Sequence, residues 1–491
     1  MTAQHFDVLI IGAGLSGIGT ACQLTAQFPD KTVAVLERRA RMGGTWDLFR
    51  YPGIRCDFDM LTFGYKFRPW RELKVLADGP SIRQYIADTA AAHGIDQKIH
   101  YGLKILGADW SSAESRWSVT AVHEATGETR HYTCGYLISC TGYYNYDAGY
   151  LPSFPGADRF TGHAVHPQHW PEGLDYTGKK VVVIGSGSTA VTLVPAIAGD
   201  AGHVTMLQRS PSYVVSIPEY DKISEVLGRF LPQTWVYELG RKRNIVIQRQ
   251  LYKACRRWPK LMRRFLLWQV RRQVGPGFDM SHFTPTYMPW DERLCAVPDG
   301  DLFKVLASGE ASVVTDQIET FTQTGISLKS GRELEADIVV TATGLNVQML
   351  GGMHLSVDGE AHEVHERMTY KAVLVQDIPN MACVFGYANA PWTLKSDIAG
   401  AYLCRLFKHM DDNGYTVATP RDVEGCATDD IVFGQLQSGY VQRAKDDMPR
   451  QGSKLPWKVL MDYEKDSKML LDDPVDDGVL CFEATRIAVA A

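Results

Sequence analysis

The 491-residue sequence has few cysteines and no long hydrophobic run. Its ten cysteines include no C-x-x-C pair, which excludes a zinc ribbon and a thioredoxin-like redox motif. No stretch approaches about 18 consecutive apolar residues, so we predict no membrane-spanning helix. The N-terminus runs almost at once into a strand and a glycine turn, which leaves no room for a secretory signal. We therefore expect a cytoplasmic protein without a metal site.

The composition is otherwise that of a globular protein, with 45% hydrophobic and 22% charged residues. The length suggests about three domains. The net charge of −5 argues against nucleic-acid binding. This charge is unevenly distributed, because residues 241–272 contain twelve Lys or Arg and no Asp or Glu.

Apolar runs that end in glycine turns predict two βαβ units. Phe6–Ile11 and Val181–Ile184 have the pattern of strands buried on both faces of a parallel sheet. Each precedes a stretch with helical spacing and then a second apolar strand, Thr32–Leu36 or Val204–Leu207. The fold class predicted is α/β, with two Rossmann-like dinucleotide-binding domains.

The similar segments 137–142 and 339–344 are interpreted as strands that cross between these domains, which makes the first domain discontinuous. Residues 220–289 are rich in Arg, Leu and Trp and lack the βαβ rhythm, so they are predicted to be a helical insertion. The boundaries expected are 1–145 and 346–491 for the first domain with the C-terminal tail, 146–219 and 290–345 for the second domain, and 220–289 for the insertion.

The first glycine turn has the spacing of a dinucleotide-binding motif. Gly12 permits the tight turn, Gly14 lets the backbone approach a pyrophosphate, and Gly17 lets the helix pack closely on the strand. The pyrophosphate is expected at the helix that begins near Ser16. Glu37 ends the second strand, where a carboxylate can bind the ribose hydroxyls.

The second turn, Gly185-Ser186-Gly187-Ser188-Thr189-Ala190, is the G-x-G-x-x-A form of the same motif. Its second strand ends in Arg209 and Ser210, without an acid, and a cation there can pair with a 2′-phosphate. The alternative is that Arg209 is an ordinary surface residue. Opposite charges at the two ribose positions indicate two different dinucleotides, FAD at the first site and NADPH at the second.

Two further patterns carry a resemblance to a known family. They are Phe160-x-Gly162-x-x-x-His166-x-x-x-Trp170-Pro171 and Gly43-Gly44-x-Trp46-x-x-x-x-Tyr51-Pro52-Gly53-x-x-x-Asp57. With both glycine motifs, residues 5–400 resemble the Baeyer–Villiger branch of the class B flavoprotein monooxygenases. The resemblance implies an FAD- and NADPH-dependent enzyme that inserts oxygen from O2 into small ketones, and that also oxidises sulfur in thioethers or thioamides.

The resemblance also implies roles for individual residues. The FAD pyrophosphate and ribose would be held by Gly12, Gly14, Ser16, Gly17 and Glu37, the flavin by Thr45, Trp46, Asp47 and Leu48, and the adenine by Ile105. NADPH would be held by Gly185, Ser186, Gly187, Ser188, Thr189, Ala190, Val191, Arg209 and Ser210, and the meeting point of nicotinamide and flavin would lie near Arg55, Cys56 and Asp57.

Arg293 is the expected catalytic arginine, oriented by Asp57. A guanidinium keeps its charge and can stabilise a developing anion. The sequence departs from the family at Glu292, where a lysine that helps to bind the 2′-phosphate is often found. His166 could serve as a general base, but the resemblance makes it part of a linker between the domains, and we prefer that role.

Other functions remain open alongside this one. A flavin monooxygenase acting on nitrogen or sulfur shares the fold and the cofactors, and a flavoprotein that docks on membranes without monooxygenase activity is a third reading. The basic segment 241–272 interleaves its cations with eight large apolar residues, Ile245, Ile247, Leu251, Trp258, Leu261, Phe265, Leu266 and Trp268. This pattern fits an interfacial helix on anionic lipid. We favour a helical cap with its apolar face on the core, and weak membrane association as a secondary property.

Overall fold

Buried strands that end in glycine turns build two separate β-sheets. The structure is a computed structural model and describes residues 3–292, 294–434 and 436–484. Its strands are β1 (Gln4–Ile11), β2 (Val33–Leu36), β3 (Ile99–His100), β4 (Leu103–Ser111), β5 (Arg116–His123), β6 (Thr129–Ser139), β7 (Tyr144–Gly149), β8 (His163–Val165), β9 (Lys180–Ile184), β10 (His203–Gln208), β11 (Val214–Ile217), β12 (Cys295–Pro298), β13 (Ala311–Thr315), β14 (Ile318–Thr322), β15 (Gly325–Leu328), β16 (Glu333–Glu335), β17 (Ile338–Thr341), β18 (Leu345–Val347), β19 (His354–Val357), β20 (Glu360–His362), β21 (Thr369–Tyr370), β22 (Leu374–Val375), β23 (Met381–Cys383), β24 (Val417–Pro420), β25 (Ala427–Ile431), β26 (Arg450–Gly452) and β27 (Leu480–Glu483).

The α-helices lie mostly between these strands. They are α1 (Leu15–Gln27), α2 (Thr45–Leu48), α3 (Met60–Phe63), α4 (Gly79–Ala92), α5 (Ser188–Ile197), α6 (Lys222–Leu227), α7 (Gln233–Arg257), α8 (Pro259–Val274), α9 (Asp301–Ser308), α10 (Trp392–Asn413), α11 (Gly439–Arg443) and α12 (Tyr463–Ser467). Within the described residues, no helix combines the length and the apolar character needed to cross a membrane.

The first sheet has eleven strands. Its main path runs β20-β19-β4-β5-β6-β1-β2-β3, and β21, β22 and β23 extend from β6. Strand β1 is parallel to both of its neighbours, with Ile10 opposite Val35 on β2 and Ile138 on β6. Helices α1, α4 and α10 contribute buried side chains to the core on one face. This arrangement places the carboxyl end of β1 next to the start of α1.

The second sheet has five parallel strands in the order β13-β10-β9-β17-β8. Its core includes Leu193 from α5 and Phe303 from α9. The predicted strands appear in both sheets with ends that differ by at most two residues. The α/β fold with two dinucleotide-type units is therefore confirmed, while the exact domain boundaries stay a prediction.

Two adjacent strands connect the units. Segment 137–142 ends β6 and leads into β7, segment 339–344 ends β17 and leads into β18, and β7 pairs antiparallel with β18. His166 contacts this link, since its Nε2 donates to the Gly344 carbonyl at 3.2 Å and its ring fills the space where a Cβ on Gly149 would lie. Burial lowers the pKa of His166. These contacts support the linker role for His166.

The predicted insertion is helical, and Pro259 separates α7 from α8. The expectation that its apolar face lies on the core is only partly correct. Leu266 is buried, but Ile247, Trp258, Leu261, Phe265 and Trp268 are exposed, because the buried face of α8 is formed by Leu266, Val270 and Val274 instead.

Arg241 anchors α7 to the first unit. Its guanidinium is buried and donates to the carbonyls of Leu61, Thr62 and Gly64 at 3.0, 3.2 and 2.8 Å. It also lies 3.5 Å from the buried carboxylate of Asp397 on α10. A buried cation with this many partners is strongly destabilising to remove, because the carboxylate and carbonyls then lose their donor.

We predict that Arg241→Met lowers the free energy of unfolding by about 3–5 kcal/mol, since Asp397 is left buried without its cation. Urea unfolding followed by circular dichroism measures this change. Lys242→Met is the matched control, because Lys242 is exposed on the same helix. Equal stability of the two variants would contradict the anchoring role.

The same pair predicts a pH dependence. Burial raises the pKa of Asp397 to about 6, although Arg241 acts in the opposite direction. The unfolded pKa is about 3.9, so ionisation of Asp397 reduces the stability of the fold as the pH rises through this range. Without Arg241 the pKa should rise further. The stability difference between wild type and Arg241→Met should therefore be smallest near about pH 5, where only the lost hydrogen bonds to the carbonyls contribute, and should grow towards about pH 8. Adding Asp397→Asn should remove this trend.

Candidate functional site

The first glycine turn has no room for side chains. A Cβ on Gly12 would lie 2.7 Å from the Cys140 carbonyl oxygen, and one on Gly17 only 1.8 Å from the Gly12 carbonyl oxygen. Gly12 also has a φ of +101°. Helix α1 begins after Gly14 without a side-chain cap. The first N–H groups of the helix therefore point forward without intrahelical acceptors, which is an arrangement that binds pyrophosphate.

Glu37 lies beside this turn at the end of β2. Its two carboxylate oxygens accept the backbone N–H groups of Ala13 at 2.7 Å and Arg39 at 2.8 Å. Burial raises the pKa of Glu37, and these two hydrogen bonds oppose the rise. Each oxygen keeps a lone pair for a further donor, so a ribose diol fits this position.

An open cleft extends from this turn. It brings together nine of the predicted cofactor-binding residues. Seven are from the FAD prediction, namely Gly12, Gly14, Ser16, Glu37, Thr45, Trp46 and Ile105, and two, Cys56 and Asp57, are from the predicted meeting point of nicotinamide and flavin. Residues from β1, β2, β4 and the segment after β6 meet here, because the carboxyl ends of parallel strands share one edge. The cleft is long enough to include both the ribose-binding acid and Asp57.

Aromatic side chains outside the predicted set of cofactor-binding residues form one wall of the cleft. Tyr143 stacks on Trp392 with 5.4 Å between ring centroids, and Trp392 Nε1 donates to Ser16 Oγ at 2.7 Å. Gly386 is required beside them, because a Cβ there would lie 2.1 Å from the Trp392 ring. The run Gly142-Tyr143-Tyr144 directly after β6 was the sequence signal for this wall.

Two residues expected at the flavin do not line the cleft. Leu48 is buried in the core of the second unit. The carboxylate of Asp47 is buried and forms ion pairs with four arginines, which are Arg39, Arg41, Arg50 and Arg83 at 2.9–3.5 Å. Asp47 therefore holds the loop before α2 in place, and its side chain cannot be counted as a flavin contact.

Segment 51–57 joins the cleft to the second unit. A Cβ on Gly53 would lie 2.5 Å from Ala196 Cβ on α5, so this approach requires glycine. Burial raises the pKa of the Tyr51 hydroxyl, and the nearby Thr189 side chain at the start of α5 acts against this rise. Arg55, expected near the meeting point of nicotinamide and flavin, forms an ion pair with Asp301 on α9 at 2.5 Å. The chain then returns to the cleft at Cys56 and Asp57.

The second glycine turn repeats the geometry of the first. Gly185 has a φ of +139°, and a Cβ there would lie 2.3 Å from the Ala342 carbonyl oxygen. Helix α5 begins after Gly187, which has open space in front of it. Ser186 Oγ donates to the Ser210 carbonyl at 2.9 Å, which joins the turn to the end of β10. Ser188 and Thr189 are the first two residues of α5, and the next two, Ala190 and Val191, have buried side chains.

Arg209 is exposed at the end of β10, as a residue that binds a 2′-phosphate must be. Glu292 lies close enough to interact with it. Burial raises the pKa of Glu292, and the positive charge of Arg209 acts against this rise. Glu292, which stands where the family often has a lysine, thus lies near the residue expected to bind the 2′-phosphate of NADPH. Arg293, the predicted catalytic residue, lies outside the described residues.

Comparison with known proteins agrees with this geometry. The family described as flavin-binding monooxygenase-like matches residues 81–357, and an NAD(P)-binding Rossmann-like domain matches residues 10–76. MymA of Mycobacterium tuberculosis, named as an FAD-containing monooxygenase, is 74% identical over 98% of each chain. The FAD-containing monooxygenase EthA of Mycolicibacterium smegmatis is 50% identical over 99% of each chain.

The chain belongs to the flavin-binding monooxygenase-like family. A solved structure of a steroid monooxygenase bound to NADP shares its fold, with a TM-score of 0.79, 21% identity, and 98% and 100% of the two chains covered. The prediction of a flavin-dependent monooxygenase with two dinucleotide-type units is confirmed at the level of the family. Within that family, the roles of the individual cleft residues stay a proposal.

Gly17→Ala tests whether the close approach at the first turn forms the flavin site. The added methyl group must displace the Gly12 carbonyl, which should lower the free energy of unfolding by about 1–3 kcal/mol and abolish retention of flavin. The absorbance of bound flavin and urea unfolding measure the two effects. Gly199→Ala is the control, because a Cβ at Gly199 meets nothing within 4 Å. Flavin content equal to that of the control would contradict the assignment.

Proposed function

We propose that this chain is an FAD- and NADPH-dependent Baeyer–Villiger monooxygenase that inserts one oxygen atom of O2 into ketones to give esters. In the balanced reaction, ketone, O2, NADPH and a proton give ester, water and NADP⁺. We also propose that it oxidises the sulfur of thioethers or thioamides. The names of MymA and EthA, both FAD-containing monooxygenases, and the NADP bound to the steroid monooxygenase support the choice of cofactors.

The observation that carries this proposal is the path of segment 51–57. Tyr51 lies near Thr189 at the start of α5, and Gly53 packs against Ala196 further along the same helix. Cys56 and Asp57 line the cleft at the first glycine turn. Hydride transfer from NADPH to FAD requires that the nicotinamide and the flavin rings come together. A segment of seven residues that contacts both sites supports such a meeting point beside Asp57.

The residues around the cleft fit FAD in kind. The start of α1 and Glu37 can bind its pyrophosphate and ribose, as described above. The stacked rings of Tyr143 and Trp392 supply an apolar wall that limits access of water. When bound, FAD supplies the hydride acceptor and the site of oxygen chemistry.

Asp57 and Arg293 are the proposed catalytic pair. Asp57 lines the cleft of the first unit and is partly exposed. A carboxylate at this place can orient an arginine, and a guanidinium can stabilise negative charge that develops on an attacking oxygen and on the carbonyl oxygen of the substrate. Asp57 is therefore assigned to positioning and Arg293 to electrostatic stabilisation.

The direct test is incubation of the purified holoenzyme with NADPH, air and a panel of ketones, thioethers and thioamides, with products identified by mass. Ketone-dependent NADPH oxidation with an ester product supports the proposal. Oxygenation confined to sulfur or nitrogen compounds would instead support the heteroatom monooxygenase, which is the alternative function. NADPH oxidation that yields only hydrogen peroxide would contradict both.

Arg293→Ala should retain flavin and NADPH-dependent flavin reduction but lose about 10²–10³ in the rate of ester formation, as expected when an electrostatic donor is removed. Anaerobic stopped-flow absorbance measures the reduction, and product analysis measures the oxygenation. Arg332→Ala, on the exposed surface of the second unit, is the control. Ester formation at the wild-type rate would rule out the assigned role.

Glu292→Gln should lower KM for NADPH several-fold, because it removes a negative charge that competes with the 2′-phosphate for Arg209. NADH lacks this phosphate and serves as the internal control. Steady-state kinetics with the two cofactors measures the effect. A decrease of the same size in KM for NADH would show that Glu292 does not act through the 2′-phosphate.

A further inference from the structure

Exposed large apolar side chains are concentrated in the helical insertion. Among the described residues, twelve of the eighteen such side chains lie within residues 220–268. Trp235 is 63% exposed, Leu261 is 62% exposed and Trp268 is 51% exposed. Monomeric proteins rarely concentrate large apolar side chains in this way unless the surface binds something.

Helix α7 presents these side chains in a stripe with its cations. Trp235, Leu239, Lys242, Val246 and Lys253 follow one another at intervals of three, four or seven residues, and all five are exposed. Residues at such intervals share one helix face. The outer face of α7 therefore alternates apolar side chains with lysines along most of its length.

Helix α8 repeats the pattern. Leu261, Arg264, Phe265, Trp268 and Arg272 are exposed and share one face by the same spacing. The guanidinium of Arg272 lies 5.0 Å from the centre of the Trp268 ring. The opposite face of α8 is the one buried against the body of the protein.

The cations of the insertion fall into two groups. Several are held by the protein itself, including Arg243 by Asp221, Arg256 by Asp291 at 2.9 Å, and Arg249 by Glu464. Seven others are exposed and have no ion-pair partner among the residues that the structure describes; these are Lys242, Lys253, Arg257, Lys260, Arg264, Arg271 and Arg272. The charge available to an external partner is thus entirely positive along 241–272.

We infer that the outer faces of α7 and α8 bind the surface of an anionic lipid bilayer. These faces together are called the docking face, and they consist of Trp235, Leu239, Lys242, Val246, Lys253, Leu261, Arg264, Phe265, Trp268 and Arg272. Aromatic and aliphatic side chains can enter the headgroup region, while the lysines and arginines pair with lipid phosphates. A second copy of this face would bring like charges together, which disfavours it as the partner. Exposed Leu, Val and Phe side chains likewise do not suit a nucleic-acid backbone.

The test is sedimentation of the full-length holoenzyme with vesicles of phosphatidylcholine alone and of phosphatidylcholine with phosphatidylglycerol. Wild-type protein should pellet with the anionic vesicles at low salt, remain in solution with the neutral ones, and be released by salt. Protein that stays in solution with both kinds of vesicle would overturn the inference.

Two sets of substitutions separate charge from apolar insertion. The charge variant combines Lys242→Gln, Lys253→Gln, Arg264→Gln and Arg272→Gln, and should weaken binding to anionic vesicles at least about tenfold. The apolar variant combines Trp235→Ser, Leu261→Ser and Trp268→Ser, and should also weaken it about tenfold or more. Controls that change Lys329 and Arg332 to Gln, or Leu151 and Val423 to Ser, alter exposed residues outside the insertion and should bind like wild type.

Flavin content and the thermal midpoint report whether each variant remains folded. Folded variants of the docking face that bind anionic vesicles as well as wild type does would overturn the inference. So would a dimer in solution that the apolar variant converts to monomers without any vesicle binding by wild type, since the face would then join two copies of the chain. Wild-type binding to duplex DNA without binding to vesicles would overturn it as well.

Discussion

The packing of Gly53 against α5 is the constraint on which the rest of the arrangement depends. A side chain at this position would collide with Ala196, so the loop from the first unit can reach the helix of the second only as glycine. This approach brings Tyr51 close to Thr189, and the same loop returns to the cleft at Asp57. Arg55 and Asp301 add an ion pair across the same boundary. The two glycine turns are thus held in a defined relation by close packing at Gly53 and by this ion pair, and such close packing tolerates little change.

Local patterns were sufficient to predict the two α/β units. Apolar runs such as Val181–Ile184 are typical of buried strands, and a glycine motif that directly follows such a run, as at Gly185, identifies the turn. Glu37 could be predicted in the same way, because one helix and one strand set its distance along the chain from Gly12. Nine residues of the cleft followed from these rules and from the family resemblance.

Contacts between distant segments could not be predicted in the same way. Trp392 reaches the cleft from α10, far from Ser16 in the chain, and no local pattern indicates that pairing. The burial of Asp47 among four arginines was also hidden, since its position in a flavin-type motif suggested a ligand contact. Eight apolar residues of the insertion could be named from the sequence, but composition alone does not show which helix face the core covers, and the exposed Trp235, Leu239 and Val246 of α7 were not among them.

The link between the two units has a mechanical consequence. The chain passes from the first unit to the second through β7 and returns through β18, and these two strands are hydrogen-bonded to each other as one antiparallel ribbon. Two crossings joined in this way share a single axis, so a rotation of one unit against the other must bend or twist the ribbon as a whole. His166 packs on Gly149 at the end of β7 and donates a hydrogen bond to the carbonyl of Gly344 just before β18. It therefore holds the two strands together and resists bending of the ribbon.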